Sequence, residues 1–166
     1  MNELLELFWS CKNKYFVDEN KLNDYINSEE FMPSIFLDKK VYRSMRRSMV
    51  NSTGQYIRSS QVSVNALFLA EYMCEVDKNH KTFIRRKNGT NYTETHHLIP
   101  ISRQNEFENS LDVEENVISL CSNCHNLLHY GKNFENVLKM LYEKRKDLLK
   151  NVGLEISYEK LLSYYI

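Results

Sequence analysis

All five histidines of this 166-residue chain, His80, His96, His97, His125 and His129, fall inside one stretch of fifty positions, with Cys121 and Cys124 among them and Cys74 just ahead. Ordinary core packing does not ask for such crowding, whereas shared coordination of a metal ion does. Cys121-Ser-Asn-Cys124 is a Cys-x-x-Cys pair, whose two-residue gap lets a tight turn aim both thiolates at one tetrahedral ion. A thioredoxin-like redox role needs such a pair at a helix start within a βαβ unit, and that pattern is missing. In an intracellular protein zinc is then favoured over a disulfide. Two thiolates do not close a structural zinc site, so Cys74 and His80 are the candidates for the other two ligands, with Asp77 a weaker substitute for His80. Cys11, alone in an apolar helical pattern, reads as a core cysteine.

The rest of the composition narrows the fold. Hydrophobic content of 42% is enough for a core, and four Gly and two Pro are too few for a turn-rich all-β architecture. The fold class expected is α+β, mostly helical with a small β unit. No apolar run reaches the roughly 18 residues of a membrane span. The acidic first thirty residues do not read as a signal peptide, which points to a cytoplasmic protein with no membrane partner. Acids and bases balance at 22 each, but not evenly. Residues 31–67 carry Asp38 against Lys39, Lys40, Arg43, Arg46, Arg47 and Arg58, a local excess that suits a polyanion binder, although a solvated helix face is the ordinary reading of any such run.

Hydrophobic spacing predicts amphipathic helices near the N-terminus, over 38–50 and over 63–74. From 82 the period changes to two β-like runs around Asn88-Gly89, the signal of a β-hairpin. Pro100 ends the second run, a polar loop covers 101–116, and Val117-Ile118-Ser119-Leu120 reads as a short strand ahead of Cys121. The helix that follows has His125 and His129 one turn apart on one face, and further helices are expected over 133–151 and 155–165. The chain then divides into a helical region 1–70, for recognition or dimerisation, a metal-binding unit 71–132, and C-terminal helices 133–166 packed upon it. Adjacent residues of a strand face opposite ways, so His96 and His97 are expected to do different jobs.

His96-His97-Leu98-Ile99-Pro100, then Glu115-Asn116-Val117-Ile118, then Leu120-Cys121-Ser122-Asn123-Cys124-His125 resemble, in order and separation, the HNH endonucleases over roughly residues 74–130. The resemblance implies a ββα-metal (His-Me finger) unit with a zinc knuckle, hydrolysing phosphodiester bonds of DNA. It makes His97 the general base, Asn116 the residue that orients it, and His96, His125 and His129 the ligands of one divalent catalytic ion, Mg, Mn, Ni or Zn. His96 stands where many relatives carry an acidic ligand, which favours a borderline transition metal over magnesium. The upstream Cys-x-x-Cys of zinc-knuckle relatives has Asp77 in place of its second cysteine, so Cys74, His80, Cys121 and Cys124 are the expected structural zinc ligands.

DNA contacts are assigned to the hairpin tip, Arg85, Arg86 and Lys87, and to Arg43, Arg46 and Arg47. A restriction or defence endonuclease acting on double-stranded DNA is the leading expectation, with a homodimer as a route to cutting both strands. The alternatives are a non-catalytic zinc-stabilised nucleic-acid-binding module and a homing, mobile-element or toxin nuclease. A rival arrangement has one zinc shared by Cys121, Cys124 and one or two of the histidines, with no catalytic ion.

Overall fold

The computed structural model of the chain describes Phe36 and residues 58–166. The expected N-terminal helices, Cys11 and the basic stretch with Arg43, Arg46 and Arg47 lie outside these residues. Within them a two-stranded antiparallel sheet, β1 (Glu94–His97) and β2 (Val117–Leu120), is contacted by α1 (Ser60–Leu69) and by α2 (Ser122–Tyr130). The C-terminal helices α3 (Glu135–Asn151) and α4 (Tyr158–Leu162) complete a mixed α+β fold. No helix among the described residues is long and apolar enough to cross a membrane.

Pairing of Glu94 with Leu120, Thr95 with Ser119, His96 with Ile118 and His97 with Val117 sets the register. β2 is buried at all four positions, so its apolar run does not alternate. Leu98, Ile118, Leu128, Leu138, Leu141 and Leu161 bring the strands, α2, α3 and α4 into one core. Helix α3 ends in a reversal at Gly153 (φ 75°), where Gly153 N donates to Lys150 O and Leu154 N to Leu149 O.

Two local expectations are corrected. The helix expected over 63–74 runs instead from Ser60 to Leu69, with the Ser59 hydroxyl capping Val62 N. It then breaks at Glu71 and Tyr72, both at φ 55°, which turn the chain so that Cys74 reaches the end of β2. The hairpin around Asn88-Gly89 is present in reduced form. Its only ladder contact is the Ile84–Asn91 bridge, flanked by Arg85 N to Thr90 O and Tyr92 N to Phe83 O, with Gly89 at φ 71° in the turn. The second run leaves this loop and pairs with the fully buried β2.

β2 is braced on its other edge by Glu75. Its backbone N–H donates to Ser119 O at 2.8 Å and its Oε1 accepts from Ser119 N at 2.9 Å. Both carboxylate oxygens are met by Arg145 of α3, a guanidinium 4% exposed that also reaches Glu114 O and Val117 O. A buried cation that loses its partner, or the reverse, leaves an uncompensated charge. Arg145→Ala is expected to destabilise the protein by about 3 kcal/mol in chemical denaturation. Arg145→Lys should recover only part of the loss, because an ammonium lacks the fork that meets two oxygens at once.

Candidate metal centres and active site

Four ligand atoms, from Cys74, His80, Cys121 and Cys124, lie within 4.8 Å of one another. His80 Nδ1 is 3.5 Å from Cys121 Sγ and 3.3 Å from Cys124 Sγ. Tetrahedral zinc with ordinary bond lengths asks for sulfur-to-nitrogen separations of about 3.6 Å, so the side chains are already spaced for the ion. All three thiols are buried and none is in a disulfide.

Asp77 stands outside this set. Its carboxylate accepts from the backbone and side chain of Asn79, and its carbonyl accepts from His80 N, forming the turn that returns His80 to the thiols. Burial alone raises the Cys74 thiol, but backbone N–H groups of Cys121, Asp77 and Val76 and the His80 ring outweigh it and bring it to about 7. Cys124 is pushed up by burial and by the neighbouring thiols Cys121 and Cys74. A divalent cation removes that conflict by neutralising the thiolates it binds.

The second cluster forms on the other side of the first turn of α2, as the adjacency of Cys124 and His125 allows. His96, His125 and His129 offer ligand nitrogens within 4.8 Å of one another. His125 Nε2 and His129 Nε2 are 3.2 Å apart, against about 3.3 Å for two nitrogens on a tetrahedral ion. The His96 ring centroid is 5.2 Å from that of His125 and 4.8 Å from that of His129. The two clusters share no residue, which is the arrangement expected of two separate ions rather than of one common zinc.

Burial, followed by the charges of His125, His129 and His97, holds His96 well below the usual imidazole range. Burial and His125 bring His129 to about 4. These rings are therefore neutral near pH 7, the state in which a nitrogen lone pair can bind a cation. Glu94 shares the His96 face of β1, two residues earlier, and its carboxylate holds His125 Nδ1 and the Ser122 hydroxyl. Burial raises the Glu94 carboxyl, yet the hydrogen bonds from His125 and Ser122 prevail and leave it lowered. With Nδ1 engaged, Nε2 is the His125 nitrogen that faces His129. Tyr165 adds a buried hydroxyl that donates to Leu98 O at 2.7 Å and sits 3.0 Å from His96 Nε2.

His97 faces the other way, as strand alternation requires. Its Nε2 is 2.9 Å from Asp112 Oδ1, and both side chains are largely buried. Asn116 does not touch the His97 ring. Its fully buried side chain accepts from Ile99 N at 2.7 Å and donates to Ile99 O and Leu111 O, while its carbonyl accepts from Leu98 N. Asn116 thus clamps the backbone just after His97 to the start of β2.

Of the three expected DNA contacts on the hairpin, Arg86 and Lys87 are exposed. Arg85 is not: it is 5% exposed, donates to Thr93 O at 2.6 Å and stacks on Tyr92, so it braces the loop. Glu94, Asp112 and Tyr165 were not anticipated. Glu94 had a signal, since it precedes His96 by two positions in a strand. Asp112 and Tyr165 arrive from a loop and from the C-terminus with no spacing that links them to β1.

A family model for HNH endonucleases matches residues 77–131. This stretch is an HNH endonuclease domain. The chain is also 35% identical over 88 residues, 52% of its length, to the type IV methyl-directed restriction enzyme EcoKMcrA of Escherichia coli (strain K12), of which that match spans 29%. Among solved structures it is similar to the type IV phosphorothioation-dependent restriction endonuclease ScoMcrA, at TM-score 0.47 and 23% identity, over 64% of this chain and 20% of that one. The chain thus aligns with under a third of the curated relative. The two clusters can be tested separately. Cys121→Ser is expected to remove one tightly held zinc equivalent by elemental analysis and to lower the melting temperature, whereas His129→Ala should keep that zinc and most of the stability.

Proposed function

We propose that the protein is a metal-dependent DNA endonuclease of restriction type, cutting phosphodiester bonds with one cation and a histidine general base. The observation that carries this reading is the convergence of His96, His125 and His129 on one point while His97, the next residue of the same strand, stands outside that set. A purely structural metal site has no use for a fourth imidazole held apart beside it. The HNH domain and the restriction enzyme among its relatives support the same class.

In this reading His97 takes a proton from water, whose oxygen bonds to phosphorus as the bond to the 3′ oxygen breaks. His96, His125 and His129 would hold a divalent cation, which when bound would supply Lewis-acid stabilisation of the charge on the phosphate and the departing oxygen. An all-imidazole set suits manganese, nickel or zinc better than magnesium. Glu94 keeps His125 turned toward its neighbours. The positive charge of Arg58 reaches His96 and His129 and adds to the attraction of a phosphate. Cys74, His80, Cys121 and Cys124 hold a structural zinc and take no part in the chemistry. Arg86 and Lys87 approach the DNA backbone from the hairpin, and Arg43, Arg46 and Arg47 contribute from the N-terminal region. That region, 1–70, serves recognition or dimerisation, and two active sites in a dimer would cut both strands of a duplex.

The methyl-directed relative makes modified DNA the substrate to try first. Cleavage of methylated and unmethylated plasmid is expected to stop with chelator and return on adding back Mn, Ni, Zn or Mg. His97→Ala should lower turnover by about 10²–10⁴-fold at unchanged zinc content. Near-native cutting by that variant would end the assignment of the base. Metal-independent DNA binding without cleavage of either substrate would favour a binding module instead.

A further inference from the structure

Every histidine that acts as a base must present a lone pair to water, and neutral imidazole has only one nitrogen that can do so. Which nitrogen that is depends on what holds the other. In this chain the Nε2 of His97 is held by Asp112 Oδ1 at 2.9 Å, with the His97 side chain 6% and the Asp112 side chain 12% exposed. The second carboxylate oxygen is occupied too, since Asp112 Oδ2 accepts from the backbone N–H of Ser59 at 2.6 Å. Asp112 itself lies in a loop tied at three points: its N–H donates to Ser110 Oγ, Leu111 N donates to Gln104 Oε1, and Leu111 O accepts from Asn116 Nδ2. The carboxylate is therefore fixed at both oxygens and along its backbone.

We infer that Asp112 is the positioning residue of the general base: it accepts the Nε2–H of His97, fixes the tautomer, and leaves Nδ1 as the nitrogen that receives the proton from water. The inference rests on His97 being the base, and it assigns to Asp112 the task that motif matching gave to Asn116. Two N–H groups point at this side chain from opposite sides, the Ser59 amide and His97 Nε2–H, and only a carboxylate accepts both. An asparagine has one accepting oxygen. If it serves Ser59, its amide group faces His97 Nε2 and demands a lone pair there, which moves the ring hydrogen to Nδ1 and removes the base. If it serves His97, the amide group meets the Ser59 N–H donor to donor.

The test is Asp112→Asn on the zinc-loaded, full-length protein, with nitrogen NMR of the His97 ring as the first readout. The native ring is expected to carry its hydrogen on Nε2, and the variant to lose that uniform state. A native ring protonated on Nδ1, or a variant with an unchanged ring, overturns the proposal, and neither result depends on finding the right DNA.

On plasmid DNA, kcat of Asp112→Asn should fall by about 10²–10⁴-fold with KM little changed, the share that a general base contributes. In a His97→Ala background the same substitution should cost nothing further. An equal loss in both backgrounds would mean that Asp112 acts on the fold or on another group, and the inference fails. His97→Ala cutting at the native rate would instead remove the base assignment, while the NMR result would still stand or fall alone.

Discussion

A ladder of four residue pairs is too short to hold itself together in water, and the whole site hangs on one. The chain makes that ladder rigid from outside. Glu75 lies along the free edge of β2 and takes both polar backbone groups of Ser119, and Arg145 secures Glu75 from α3. Asn116 ties the chain beyond β1 to the residues ahead of β2. At the far end of β2 the thiols of Cys121 and Cys124 meet Cys74 and His80 from a segment more than forty residues earlier. Each brace is polar and at least partly buried, so each is costly to break, and together they hold the strands in register.

That rigidity is what turns strand alternation into a division of labour. On one face of β1, Glu94 and His96 meet α2, where His125 and His129 stand one turn apart. On the other face His97 meets Asp112, whose second oxygen accepts from Ser59 N just ahead of α1. Burial keeps His96 and His129 neutral, which prepares them for a cation, and the same burial makes the hydrogen-bond partner of each ring the factor that selects its free nitrogen. The metal cup and the base are built from neighbouring residues but respond to different surroundings.

Much of this was readable before any coordinates. The crowding of histidines, the Cys-x-x-Cys pair and the i,i+4 spacing of His125 and His129 point to two metal sites, and the fold brings His80 rather than Asp77 to the three thiols. Local pattern misjudged three places. The helix after Ser63 stops early because Glu71 and Tyr72 adopt left-handed backbone that no propensity rule expects of them. The Asn88-Gly89 hairpin is cut short because β1 gains more from β2, buried between helices, than from an exposed partner. Arg85 looks like its basic neighbours in sequence but folds back onto Tyr92 and Thr93.

The kind of chemistry was thus inherent in residue types at short spacings, because metal coordination and strand alternation act over a few positions. The orientation of each group was not. Asp112 reaches His97 across 15 residues, Glu75 reaches Arg145 across 70 and Tyr165 reaches His96 across 69. No periodicity links such pairs; they meet because the core forces their elements together, and a buried imidazole then takes whatever partner that packing supplies. Ligand identity is a local property of the chain, while the direction in which a ring presents its lone pair belongs to the folded whole.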